Sequence, residues 1–152
     1  MINEFQNKYR FLSNFWLVPV EFEGATYPSV EHAYQAAKTI SMELREPFWK
    51  EHMTPGEAKR LAKTLTLRGD WEDIKVDIIR QLVEQKFQIP HLKEKLLATC
   101  DQELIEGNRW HDNFWGDCLC LNCQNIRGRN RLGKILMAVR DEAIRSTYGG
   151  KE

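Results

Sequence analysis

The stretch from Trp71 to Phe87 constrains this chain more than any other. Ile74, Ile78, Ile79, Leu82, Val83 and Phe87 recur at spacings of three to five, a single apolar stripe on a helix. Such a helix stands only if other elements cover its stripe. The chain has the material for that cover: 42% of its 152 residues are hydrophobic and 11% aromatic, which excludes an intrinsically disordered segment and a stapled mini-protein.

The covering elements announce themselves by caps and turns. Val20 to Tyr27 alternates around Glu23-Gly24 and, with the aromatic and branched run Arg10 to Val18, predicts two or three short strands. Ser29 is a natural N-cap for a helix from Val30 to about Ile40, with Val30, Ala33, Tyr34 and Ala37 on its inner stripe. Thr54-Pro55-Gly56-Glu57 is a capping box with proline at the first helical position, opening a helix that ends near Leu65. Pro90 opens a short helix through Leu97, Leu104 to Glu106 reads as a strand, and Arg131 to Ile144 reads as a closing helix. With no repeat, low-complexity tract or linker, this is one helix-rich α+β domain over residues 1–152.

Charge narrows the partners. Lys+Arg and Asp+Glu both number 22, so the chain has no global basic field for nucleic acid or membrane, and any charged partner is met locally. The apolar runs Phe15 to Val20 and Ile135 to Val139 are too short to span a bilayer, and MINEFQNKYR has no apolar signal core. The expectation is a soluble, cytoplasmic protein with no membrane partner and no obligate protein partner.

Four groups of side chains could carry chemistry. Glu31, Gln35 and Lys38 follow one ridge of the Val30 helix beside Tyr34 and small alanines, where partial burial moves a carboxyl toward a general acid; the plainer alternative is a solvated face. The loop Trp110 to Asp117 packs three aromatics with Asp112 and Asp117, a base-stacking surface or a plug over the core. Arg127, Arg129, Arg131 and Lys134 surround a helix start, a natural phosphate site or an exposed basic end. Cys118, Cys120 and Cys123, with Cys100 or His111 as a fourth ligand, have the residue types of a structural zinc site; reduced thiols in a loop are the alternative. No other cofactor is expected: there is no Walker motif and no G-x-G-x-x-G.

Taken in order, Phe11-Leu12-Ser13-Asn14-Phe15, the run Tyr27 to Lys38 (YPSVEHAYQAAK), Trp71 with Lys75, Lys86-Phe87, Asp112 with Trp115-Gly116, and Gly128-x-Asn130-x-Leu132-Gly133 through Arg140 make the chain resemble the YbiA-like, or NADAR, family along nearly its whole length. The resemblance implies a helix-rich α+β domain that hydrolyses N-glycosidic bonds of ribosylated bases. YbiA-like members act on phosphoribosylamino-pyrimidine intermediates of riboflavin synthesis, and other members remove ADP-ribose from guanine, including guanine in DNA. The Cys118-x-Cys120-x-x-Cys123 stretch is a departure that shorter members would not need.

The resemblance also implies roles. Glu31 and Asp112 become the catalytic carboxylates, one protonating the leaving nitrogen and the other steadying an oxocarbenium-like state or activating water. Lys38 binds phosphate or hydroxyl, or attacks C1 of the opened sugar. Trp71 and Trp115 wall the base, Asn14, Tyr34, Gln35 and Asn130 line the substrate, and Arg127, Arg129, Arg131 or Lys134 takes phosphate. The partner is then a small phosphorylated ribosyl-base, with ADP-ribosylated guanine as the alternative substrate and a non-hydrolysing ADP-ribose-type ligand module as a second alternative.

Overall fold

The computed structural model of the chain describes residues 1–149. Six α-helices and two small two-stranded sheets give the helix-dominated α+β class. The chain falls into two compact units, Asn14–Lys86 and a unit made of Met1–Ser13 with the chain from Phe87 onward. Among the described residues no helix is long and apolar enough to cross a membrane.

The 14–86 unit begins with an antiparallel hairpin, β1 (Leu17–Phe22) and β2 (Ala25–Ser29). Glu23 and Gly24 both take positive φ, 45° and 91°, which gives the turn the handedness a two-residue hairpin needs. Val20 pairs with Tyr27 and Phe22 with Ala25, and the register slips between Leu17 and Val20, where Pro19 has no N–H to offer. Val18, Val20 and Phe22 alternate inward.

Helix α1 (Val30–Ala36) is buried at every position and packs on both strands and on three helices. Ser29 caps it by accepting the His32 N–H at 3.1 Å. It stops at Ala36, short of the expected Ile40, where the bonding tightens to i→i+3 (Lys38 N–H to Gln35 O and Thr39 N–H to Ala36 O, both 3.3 Å) and the chain beyond is held from outside, Lys38 O accepting the Arg68 N–H at 2.9 Å and Thr39 O accepting Arg45 Nε at 2.7 Å. Helix α2 (Met42–Lys50) has no counterpart among the expectations, since Pro47 sits in its interior and it buries only Arg45 and Phe48. In α3 (Pro55–Ala62) the expected capping box is complete. In α4 (Trp71–Lys86) Ile78, Ile79, Leu82 and Val83 are buried, each worth roughly 1.5–3 kcal/mol against exposure.

In the terminal unit, Asn7–Leu12 forms a 3-10 turn rather than the strand expected from Arg10, and it buries Phe11 and Leu12. Phe11 meets Phe87 edge to face at 6.4 Å. Helices α5 (Pro90–Leu97) and α6 (Arg131–Tyr148) contact each other, and buried Arg140 donates to Thr99 Oγ1 at 2.9 Å. The strand expected at Leu104–Glu106 reduces to a single bridge from Leu104 to Ile2; the ladder proper joins β3 (Gly107–Asn108) in parallel to β4 (Asp117–Cys118). A second 3-10 turn spans Leu121–Cys123.

Candidate active site

Within the 14–86 unit, α1 buries three polar side chains, Glu31, His32 and Gln35. Glu31 is 8% exposed and Gln35 3% exposed, far more enclosed than a solvated helix face. Gln35 Nε2 donates to Glu31 Oε1 at 2.7 Å, so one turn of helix fixes the carboxylate. The Glu31 N–H donates to the backbone carbonyl of Asn14 at 3.1 Å, which ties the segment before β1 to the same turn. Two acceptors here, Gln35 Oε1 and Asn14 Oδ1, are buried with no hydrogen-bond partner. A buried acceptor in that state costs about 1–3 kcal/mol unless a ligand donor satisfies it.

Neighbouring His32 has a different job. Its Nε2 lies 2.8 Å from Met53 O and its Nδ1 2.7 Å from Ser29 Oγ, an arrangement that suits the neutral Nε2–H tautomer. Burial lowers its pKa, with the Met53 carbonyl working in the opposite direction. It is a core residue that pins α1 and leaves Glu31 on the adjacent face.

Lys38 lies two residues beyond α1, in a tightened turn where its N–H reaches Gln35 O at 3.3 Å. Its ammonium sits 5.7 Å from the Tyr34 ring centre and 6.0 Å from that of Trp71. Those two rings are 5.1 Å apart and tilted by 49°. Trp71, the first residue of α4, is placed by the preceding turn, where Arg68 grips Asp70 through Nε at 2.7 Å and Nη2 at 3.2 Å. Burial lowers the Lys38 pKa; Glu31 opposes that shift, and the charges of Lys59, Lys75 and Lys63 add to it. Of these, Lys75 carries part of the family motif together with Trp71, whereas Lys59 and Lys63, one turn apart on and just past α3, were not singled out from sequence.

The terminal unit gathers the other candidates around one loop. Asp112 Oδ1 accepts the N–H groups of Phe114 at 3.0 Å and Trp115 at 2.8 Å, so one carboxylate oxygen is committed to folding the loop. Asn108, absent from the expectations, is the hub beneath it: Oδ1 accepts the Trp110 and Asp112 N–H groups, and Nδ2 donates to Asp112 O at 2.7 Å. Phe114 and Trp115 meet edge to face at 4.9 Å and are half-buried, while Trp110 is 55% exposed and so does not plug the core.

The helix start expected to cradle phosphate is already capped. The amides of Arg131 and Leu132 donate to the carbonyls of Phe114 at 3.2 Å and Trp115 at 3.0 Å, and those of Arg129 and Asn130 reach Asn113 and Gly116. Asn130 takes φ 48° and spends its amide on Leu104 O and the Glu106 N–H, which makes it a brace of the loop. Arg131 lies 4.8 Å above the Phe114 ring with its buried Nε unpartnered, Arg129 lies 6.0 Å from the same ring, and Arg127 is exposed.

Behind the same loop, His111, Cys118, Cys120 and Cys123 converge with their ligand atoms all within 4.8 Å of one another. Cys100 is outside this group, its thiol turned to Ala98 O at 3.6 Å, so His111 is the fourth member.

A family model described as the NADAR domain matches residues 2–144. Over 135 residues the chain is 40% identical to the riboflavin biosynthesis protein VVA0006 of Vibrio vulnificus, covering 87% of this chain and 35% of that longer protein. It is 34% identical to the N-glycosidase YbiA of Escherichia coli over 137 residues, 88% of this chain and 81% of the other, and 38% identical to the N-glycosidase Npun_R5314 of Nostoc punctiforme over 141 residues, 88% and 85%. The NMR structure of E. coli YbiA matches with a TM-score of 0.78 at 31% identity, over 97% of this chain and 90% of that one.

Proposed function

This chain belongs to the NADAR domain family, and on that footing we propose that it is an N-glycosidase, a hydrolase that breaks the bond between C1 of a ribosyl group and the nitrogen of a base. The observation that carries this reading is the setting of Lys38: a half-buried amine with a lowered pKa, beside two aromatic rings and near a buried carboxylate. An amine in that state is closer to its free-base, nucleophilic form than a surface lysine.

The substrate is a phosphoribosylamino-pyrimidine of the riboflavin route, a reading supported by the relatives named as N-glycosidases and as a riboflavin biosynthesis protein. Lys59 and Lys63 beside Lys38, with Lys75 held in an ion pair with Glu72 at 2.6 Å, contribute positive charge near the place its phosphate would take, and Trp71 and Tyr34 offer faces to the base. The unpartnered acceptors of Gln35 and Asn14 suit the donor groups of an amino-pyrimidine or a ribose.

In the reaction, Glu31 protonates the leaving nitrogen. The opened sugar presents C1 to the Lys38 amine, which displaces the amino-pyrimidine and forms an imine. Water then adds at C1, releases ribose 5-phosphate and returns the free amine. One water is consumed, the C1–N bond breaks and a C1–O bond forms. Asp112 acts on this reading as a positioning residue, because its Oδ1 holds the Trp115 loop. No cofactor takes part in these steps.

The test is a parallel assay of pure protein on phosphoribosylamino-pyrimidine and on ADP-ribosylated guanine, free and in DNA. Release of ribose 5-phosphate that falls about 10²–10⁴-fold in Glu31→Gln supports the reading. Cleavage confined to the guanine adducts moves the substrate to that class, and saturable binding without any product makes the chain a ligand module.

A further inference from the structure

His111 reaches across its loop to all three clustered thiols. Its Nδ1 lies 3.4 Å from Cys120 Sγ, 3.4 Å from Cys123 Sγ and 3.9 Å from Cys118 Sγ. A tetrahedral zinc ion with Zn–S of about 2.3 Å and Zn–N of about 2.0 Å sets sulfur and nitrogen vertices roughly 3.5 Å apart and sulfur vertices roughly 3.8 Å apart. The four atoms, all within 4.8 Å of one another, are already at that scale.

Each ligand comes from a different piece of local structure. Cys118 ends β4, Cys120 precedes the 3-10 turn of Leu121–Cys123, and Cys123 closes it. His111 sits in the left-handed region at φ 67°, a conformation that few non-glycine residues adopt. All four cysteines are free thiols, and Cys118 and Cys123 are buried. Three soft sulfurs and one imidazole nitrogen select zinc over calcium or magnesium, which take oxygen ligands.

We propose that His111, Cys118, Cys120 and Cys123 bind one zinc ion in a structural Cys3His site. On binding, the three thiols release their protons to solvent, the neutral imidazole gives its Nδ1 lone pair, and the closed shell of four protein ligands leaves no position for substrate or water. The site joins His111 to residues 118–123 and so closes the loop that carries Asp112 and Trp115. It stands on this geometry alone and is independent of the glycosidase reading.

Metal analysis of protein purified without chelator and then dialysed against trace zinc should find about one zinc per chain. Cobalt loaded in its place should show the intense visible bands of tetrahedral thiolate coordination. Cys120→Ser, His111→Ala and Cys123→Ser should each weaken zinc affinity by an order of magnitude or more in competition with a chromophoric chelator, whereas Cys100→Ser should keep the full load. Circular dichroism keeps the test independent of folding, because a variant with native helix content and no metal still reports on ligation. Sub-stoichiometric zinc in the wild-type protein, an octahedral cobalt spectrum, or unchanged affinity in folded Cys120→Ser overturns the proposal. So does a disulfide between any two of Cys118, Cys120 and Cys123 in freshly purified protein.

Discussion

Gln35 holds Glu31 across one turn of α1, its amide nitrogen 2.7 Å from the carboxylate oxygen, while its own carbonyl oxygen stays buried and unpartnered. On the proposed reading the pair ties acid and substrate contact together. A hydrogen bond that aims a side chain is worth about 0.5–1.5 kcal/mol, so Gln35→Leu should lower kcat/KM roughly 2–10-fold with the fold intact. Steady-state kinetics with a thermal melt checks this; equal kcat/KM in a folded variant would remove Gln35 from the site.

Asp112 allows a clean separation of roles. Asparagine keeps the Oδ1 acceptor that the Phe114 and Trp115 amides use, and alanine deletes it. Asp112→Asn should stay within about tenfold of wild-type activity, while Asp112→Ala should lose about 1 kcal/mol of stability along with activity. Loss of turnover in a stable Asp112→Asn, by contrast, would make this carboxylate a proton carrier.

The pH profile should follow Lys38. On the proposed reading its amine reacts as the free base, so kcat should rise as pH climbs through its lowered pKa. Lys59→Gln deletes a neighbouring positive charge that lowers that pKa, so the pKa should rise and the ascending limb should move to higher pH. An unmoved or acid-shifted limb would mean that Lys38 does not set the profile.

His32 predicts an acid-side loss of stability. Its folded pKa lies below 6.5, so below about that pH the unfolded chain binds the extra proton first and stability drops as pH falls. Melting temperatures measured down to pH 5 should fall more steeply for wild-type than for His32→Gln. Parallel curves would show that His32 is not buried neutral.

These side chains differ in how far their sequence betrays them. Thr54 with Glu57, Ser29, Glu23-Gly24 and the stripe of α4 declare caps, turns and periodicity locally, and each forms as expected. What stayed hidden depends on partners distant in sequence. Helix α2 tolerates Pro47, and the chain just past α1 is held by Arg68 and Arg45, which take the carbonyls of Lys38 and Thr39. The α6 amides at Arg131 and Leu132 are consumed by the carbonyls of Phe114 and Trp115, which no local pattern around Arg127 to Lys134 reveals. Likewise, Glu31 and Gln35 were legible as neighbours on one helix face, whereas Lys38 lies beyond the end of α1 and the lysines Lys59 and Lys63 that lower its pKa are brought there by packing.

Reductive trapping decides whether Lys38 is the nucleophile of an N-glycosidase. Borohydride added during turnover of phosphoribosylamino-pyrimidine should convert the imine into a stable ribityl-phosphate adduct on Lys38, found by peptide mass spectrometry and absent from Lys38→Arg, which should also lose turnover. Turnover by Lys38→Arg at the wild-type rate, or wild-type turnover that leaves no adduct on Lys38, would show that Lys38 is not the nucleophile.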